Sequence, residues 1–138
     1  MKYEAPYLVP FLQISDASGN IASTQDMSGL PFPANRIFWV FGAAPGSVRG
    51  GHAHKTTKEI LTVVKGQVRV ETESAYGNHS FFLENLSQGL YIPPFCWITV
   101  HLEPETILCC ITSSYFDEAD YIREYGEFKA LLGGVNQR

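Results

Sequence analysis

The chain lacks most of the features that would take it out of the ordinary globular class. No apolar run approaches the roughly 20 residues that a membrane-spanning helix requires. No run of Lys or Arg is present and the net charge is −4, which excludes a basic surface for nucleic acid or an anionic membrane. The cysteines number three, an odd count with no CxxC spacing, so no disulfide framework or thiolate metal knuckle is expected. Cys96, Cys109 and Cys110 are read instead as small packing residues. Met1 to Pro10 shows no ordered charged, apolar and cleavage regions of a signal peptide, and a cytoplasmic, reduced protein is expected. No glycine-rich dinucleotide fingerprint occurs, nor any internal repeat, low-complexity tract or linker. At 138 residues the whole span 1–138 is expected to be one domain.

Against these absences stand nine Phe, seven Tyr and two Trp, with 45% apolar residues. They are concentrated in short runs of Val, Ile, Phe, Tyr and Thr separated by turn residues. Strands are predicted over Arg36–Phe41, Glu59–Lys65, Gln67–Glu73, Ser80–Leu83, Leu90–Ile92, Trp97–Leu102 and Thr106–Ser113. Lys65-Gly66 reads as a tight hairpin and Ser74–Asn78 as another turn, while Pro93-Pro94 ends a strand. The N-terminal third is less regular: Tyr7–Leu12 reads as a strand able to pair within the chain or with a second subunit. Ser15–Asn20 reads as a turn and Ser28–Pro33 as loop. One helix is predicted at the C-terminus, Glu124 to Leu132, with Tyr125, Phe128 and Leu132 on one face and Gly133-Gly134 as its stop. Many short strands without βαβ alternation give an all-β fold, a small antiparallel barrel or jelly roll with a short C-terminal helix.

The chemistry is concentrated between Gly46 and Gly66. In a strand, residues two apart share a face, so His52 and His54 project together while Ala53 faces away. Glu59 reaches the same cavity if the chain reverses between them. Two imidazoles and a carboxylate converging inside a barrel make either a metal site or an acid/base site; the bland alternative is a pair of histidines on a solvated edge.

Gly46, His52, His54, Glu59 and Gly66 fall at every defined position of the first cupin motif, and the segment resembles that family. The second cupin motif resembles Gly89 through Trp97, but metal-binding cupins carry a histidine where this chain has Ile98. His101 lies three residues further on, an odd offset that turns it to the opposite face of a regular strand. With one ligand replaced by isoleucine, no metal is expected, and acid/base chemistry becomes the better use of two imidazoles that titrate near neutrality.

Four longer segments narrow the resemblance: Arg36–Phe41, Arg49–Lys55, Gly89–Pro94 with Trp97, and Tyr115–Tyr125. Over Leu8 to Leu132 the chain is similar to the nucleotide-sugar 3,4-ketoisomerases of the WxcM-like cupin group. The resemblance implies a dTDP-4-keto-6-deoxyglucose substrate, a dTDP-3-keto-6-deoxyhexose product, an enediol(ate) between them and no cofactor. It implies that His52 and His54 are the catalytic pair and that Arg36 and Arg49 hold the diphosphate, surface ion pairing being their plainer reading. Phe38, Gly51 and Ile98 are expected at the substrate, with Phe38 equally suited to core packing. Asp120, Tyr121 and Arg123 are expected to shape the end of the fold or a subunit contact. A homodimer is expected. Ile98 and Ser18 depart from relatives that carry other polar residues there, and both bear on whether C4 ends galacto or gluco. The competing readings are a non-catalytic sugar-nucleotide-binding cupin, a metal-dependent cupin oxygenase and a C3/C5 epimerase of the same architecture.

Overall fold

The computed structural model describes residues 3–136, with side chains to residue 133. Two five-stranded sheets face each other across an apolar core. The first runs in the order β1 (Tyr7–Pro10), β11 (Gln88–Ile92), β8 (Glu59–Lys65), β13 (Ile107–Thr112) and β6 (Arg36–Val40). The second runs β10 (Gly77–Leu83), β9 (Val68–Ser74), β12 (Trp97–Leu102), β7 (Val48–His54) and β14 (Tyr121–Ile122). Every neighbour pair in both sheets is antiparallel. The remaining strands, β2 (Leu12–Asp16), β3 (Gly19–Ser23), β4 (Gln25–Asp26) and β5 (Gly29–Leu30), form two small ribbons in the N-terminal third.

The alternation read from the sequence is what fills the core. Leu61, Val63, Leu90 and Leu108 point inward from the first sheet and meet Val68, Val70, Ile98 and Val100 from the second. Each such fully buried aliphatic side chain contributes about 1.5–3 kcal/mol. The fold is therefore the jelly-roll form of the expected all-β architecture; the two sheets do not close into a continuous barrel.

β10 begins at Gly77, inside the expected Ser74–Asn78 turn, and β5 lies within the expected Ser28–Pro33 loop; three larger differences from the sequence reading each have a physical reason. Lys65-Gly66 is not a hairpin. β8 and β9 lie in different sheets, because both strands have an apolar face to bury in the same core, and the chain arches over its edge between them. Gly66 sits at φ 81° in that arch, and a Cβ there would lie 3.0 Å from Thr106 Cα. The helix α1 spans Tyr125–Asn136 and runs through Gly133-Gly134 instead of stopping there. A glycine inside a helix costs only about 1 kcal/mol, and docking through Phe128 and Leu132, both buried beside Ala53 and Ile122, holds the turns before it. In the N-terminal third, β1 ends at Pro10, and the hairpin β2–β3 replaces the Ser15–Asn20 turn with two paired strands around Ala17-Ser18. The strand β1 pairs with β11 of its own chain.

The irregularity that matters most lies in β7. Ile98 pairs with His52 and Thr99 with Gly50, so Gly51 is the extra residue of a β-bulge on β7. Gly50 and Gly51 both have positive φ, 84° and 69°. The bulge leaves the alternation of β12 intact, so Ile98, Val100 and Leu102 are buried while His101 sits on the other face beside Glu71. The odd-offset reading of His101 holds. A Cβ at Gly50 would lie 2.7 Å from the Ile98 carbonyl oxygen, whereas one at Gly51 meets nothing within 4 Å. Left-handed backbone costs a residue with a Cβ about 1–2 kcal/mol, and Gly50 adds a backbone clash to that. Gly51→Ala is expected to cost about that amount in denaturant unfolding, and Gly50→Ala clearly more; equal losses would show that the bulge does not hold the two glycines as described.

Candidate active site

A cavity of about 430 Å³ opens between the sheets. Its walls carry Arg36 and Phe38 from β6, Arg49 and Gly50 from β7, Glu59 and Leu61 from β8, Ile98 from β12 and Cys110 from β13. His52 and His54 enter from the end of β7, and Tyr121 and Arg123 close the site from β14 and the residue after it.

The pleat of β7 explains why both imidazoles point in. Ala53, between them, is 1% exposed and packs outward against Ile122, Phe128 and Leu132 beneath α1. The imidazole rings of His52 and His54 are 5.1 Å apart and nearly perpendicular. Glu59 approaches from the opposite sheet, with its Oε2 3.7 Å from His54 Nε2. One ligand-type atom from each of His52, His54 and Glu59 lies within 4.8 Å of the others. The expected convergence of the three residues is therefore present, across the sandwich instead of around a local turn.

Those three atoms lie close enough to face one small cation, but Ile98, 3% exposed and paired with His52, fills the neighbouring position with hydrocarbon. Two imidazoles and one carboxylate make an open three-donor set; with Ile98 at the neighbouring position, a metal held there would lack the further histidine that metal-binding cupins supply from that strand. Ile98→His is accordingly expected to raise Zn²⁺ or Ni²⁺ affinity at least tenfold over the natural chain, measured by titration calorimetry; equal affinity in the two would mean that Ile98 is not the missing ligand.

Burial lowers the His52 pKa, the Glu59 charge opposes that shift, and the neighbouring His54 adds to it. The net effect keeps His52 neutral at cellular pH, the state in which an imidazole accepts a proton. The Cys110 thiol is pushed well up, first by burial and then by the Glu59 carboxylate, so it stays protonated. Burial likewise lifts Cys96, to about 12. All three thiols are free, and Cys96 and Cys110 are buried packing residues as expected, Cys109 being half-buried.

Arg36, Arg49 and Arg123, three of the five arginines in the chain, line this cavity. The Arg36 guanidinium carbon lies 4.4 Å from the centroid of the Phe38 ring and 5.3 Å from that of Phe116, within cation–π range of both. Phe38 lines the cavity and also packs against the core. Gly50 lines the cavity, whereas Gly51 does not.

The larger difference concerns the segment 120–123, expected at the end of the fold. It lies at the site. Tyr121 pairs with His54 across β14–β7, and its ring is 4.4 Å from the His54 ring and 5.0 Å from that of His52. Arg123 stacks on Tyr121 at 4.1 Å and forms a two-pronged ion pair with Glu118. Asp120 Oδ2 is 3.1 Å from His54 Nδ1. The sequence signal was present in the Tyr115–Tyr125 segment, but nothing local in it says that two residues of strand pair back onto β7.

Comparison with known proteins accords with this geometry. Residues 4–133 match the family model described as FdtA, the WxcM-like C-terminal domain. The chain belongs to this family. It is 28% identical over 130 residues, 94% of each chain, to a TDP-4-oxo-6-deoxy-alpha-D-glucose-3,4-oxoisomerase of Aneurinibacillus thermoaerophilus. Among solved structures it is similar to WlaRA, a TDP-fucose-3,4-ketoisomerase from Campylobacter jejuni, at TM-score 0.89 and 25% identity, covering 96% of this chain and 98% of that one. It is also similar to the 3,4-ketoisomerase QdtA from Thermoanaerobacterium thermosaccharolyticum in complex with TDP, at TM-score 0.87 and 26% identity, covering 94% and 96%. Within this WxcM-like chain the residues of the cavity come from six different strands and the segment that follows β14.

Proposed function

We propose that this chain is a single-domain sugar-nucleotide 3,4-ketoisomerase, an isomerase that converts TDP-4-keto-6-deoxyglucose into a TDP-3-keto-6-deoxyhexose by histidine acid/base chemistry. The observation that carries the reading is the pairing of His52 and His54 on one face of β7, inside a cavity that also presents three arginines. The relatives that match over almost the whole chain are 3,4-ketoisomerases, and QdtA is described with TDP bound.

The reaction follows from the groups present. Burial keeps His52 neutral, so it serves as the base that removes the C3 hydrogen, which the adjacent C4 carbonyl acidifies. The electrons move to the C4 oxygen and give an enediolate. A proton passes from the C3 hydroxyl to the C4 oxygen, and His54 returns a proton to C4, leaving the carbonyl at C3. No hydride moves and no electron is lost, so the chemistry asks for a positioned base and for positive charge near the developing oxyanion. Arg36 and Arg49 suit the diphosphate, because a guanidinium offers two parallel N–H donors to a pair of phosphate oxygens. Phe38 and Ile98 line the apolar side against the hexose and base.

Ile98 withholds one donor from a metal, and the relatives matched over almost the whole chain are ketoisomerases, so the oxygenase alternative is not favoured. The intact acid/base set weakens the binding-only alternative. We further propose that the protein works in the cytoplasm, where its nucleotide-sugar substrate would be made, and as a homodimer; no described helix is long and apolar enough to cross a membrane. The hairpin β2–β3 exposes Leu12, Ile14 and Ile21, and β6 exposes Ile37 and Trp39 with Phe41 just beyond it, a quantity of apolar surface that a second copy would cover.

Incubating the purified protein with TDP-4-keto-6-deoxyglucose and identifying the product by NMR is expected to show the ketone at C3. His52→Asn and His54→Asn are expected to lower turnover by roughly 10²–10⁴-fold while TDP affinity changes little. Recovery of unchanged substrate from the natural chain, or near-normal turnover in both variants, would refute the reading.

A further inference from the structure

The carboxylate of Asp120 gathers four donors from β7 and the turn that follows it. Oδ1 accepts the Thr56 backbone N–H at 2.8 Å and its hydroxyl at 2.7 Å. Oδ2 accepts the Thr57 N–H at 3.1 Å and meets His54 Nδ1 at 3.1 Å. The Asp120 carbonyl takes the Lys55 N–H at 2.9 Å, so backbone and side chain grip the same turn. Burial alone would raise the Asp120 pKa, but the hydrogen bonds from Thr57 and Thr56 outweigh it and hold the carboxyl below its ordinary range. Asp120 is thus ionised at neutral pH, and an ionised carboxylate can only accept hydrogen bonds.

We propose that Asp120 is a positioning residue that fixes the proton of His54 on Nδ1, so that the proton exchanged with substrate is confined to Nε2. The two nitrogens of an imidazole are distinct, and the partner of one decides what the other can do. Here Nδ1 faces a group with no proton to give, so Nδ1 must carry one. Nε2 then faces Glu59 and the cavity. When His54 is doubly protonated, Nε2–H is the donor toward C4; once it has given that proton, the neutral ring keeps Nδ1–H and cannot flip its tautomer. Tyr121, whose ring lies 4.4 Å from that of His54, blocks rotation of the imidazole from the side. The proton-return step therefore starts from one ring orientation and one tautomer.

The kinetic part of this inference rests on the ketoisomerase reading; its spectroscopic part does not, because it reads the imidazole without substrate. Two-bond ¹H–¹⁵N correlation spectra of the ¹⁵N-histidine-labelled chain, with His54 assigned by its loss in His54→Asn, should show a pyrrole-type Nδ1 that stays protonated at neutral pH. Asp120→Asn keeps an oxygen acceptor for Thr56 but presents an N–H to Nδ1, so the variant should move the proton to Nε2. Its kcat is expected to fall roughly 10²–10⁴-fold, with KM little changed, as for other Asp→Asn changes that reverse a catalytic histidine's tautomer. Thr56→Val removes a hydrogen bond from the same carboxylate without touching His54, and should leave both the ¹⁵N pattern and kcat within about a factor of two. An unprotonated Nδ1 in the natural chain would overturn the inference even if Asp120→Asn fails to fold. So would an Asp120→Asn variant with an unaltered tautomer or an unaltered kcat, or a Thr56→Val variant that loses as much activity as Asp120→Asn.

Discussion

Everything at the site depends on the register of β7, which is fixed from both of its faces. On one side Ala53 is buried beneath Ile122, Phe128 and Leu132; on the other, His52 and His54 meet Glu59 and Tyr121. Because side chains alternate along a strand, a slip of one residue would put Ala53 into the cavity and both imidazoles under the helix. Apolar burial on the outer face thus holds the polar pair on the inner face. The bulge at Gly51 takes up the mismatch between a strand that must present His52 beside Ile98 and a partner strand whose Val100 and Leu102 must stay in the core.

Charge is distributed in the same economical way. The chain as a whole is acidic, yet three arginines face one cavity, and the carboxylates nearby are each committed to a partner. Glu118 pairs with Arg123, Asp120 with His54 and the Thr56–Thr57 backbone, and Glu59 faces His54. In the proposed reaction an anionic nucleotide sugar would meet these cations at the walls, while the carboxylate of Asp120 is held behind the His54 imidazole. Such an arrangement suits a reaction in which negative charge appears transiently on a sugar oxygen.

Much of this was legible in the sequence. The strands β6, β8, β12 and β13 follow from runs of β-branched and aromatic residues, and the inward pairing of His52 with His54 follows from a period of two. The isolation of His101 followed from its odd offset, because the bulge fell on β7 and left β12 regular. What was not legible is non-local. Asp120 and His54 are 66 positions apart and meet through a strand of two residues, too short to leave any periodicity. Glu59 reaches His54 from the facing sheet, and Lys65-Gly66 has the composition of a hairpin although it joins two sheets. Local composition marks where the chain turns; which sheet it turns into depends on where its next apolar face can be buried. Gly133-Gly134 misled for a related reason, since docking of Phe128 and Leu132 outweighs a weak local preference to stop.

The central claim is that one histidine removes the C3 hydrogen and the other returns a proton to C4. Running the reaction in D₂O and locating deuterium in the product by NMR tests it most directly. Imidazole protons exchange with solvent, so two histidines with separate tasks predict a product carrying deuterium at C4 from the first turnovers. Quantitative transfer of the substrate's own C3 hydrogen to C4 would contradict the account, because it would require a single shielded base to carry that hydrogen across.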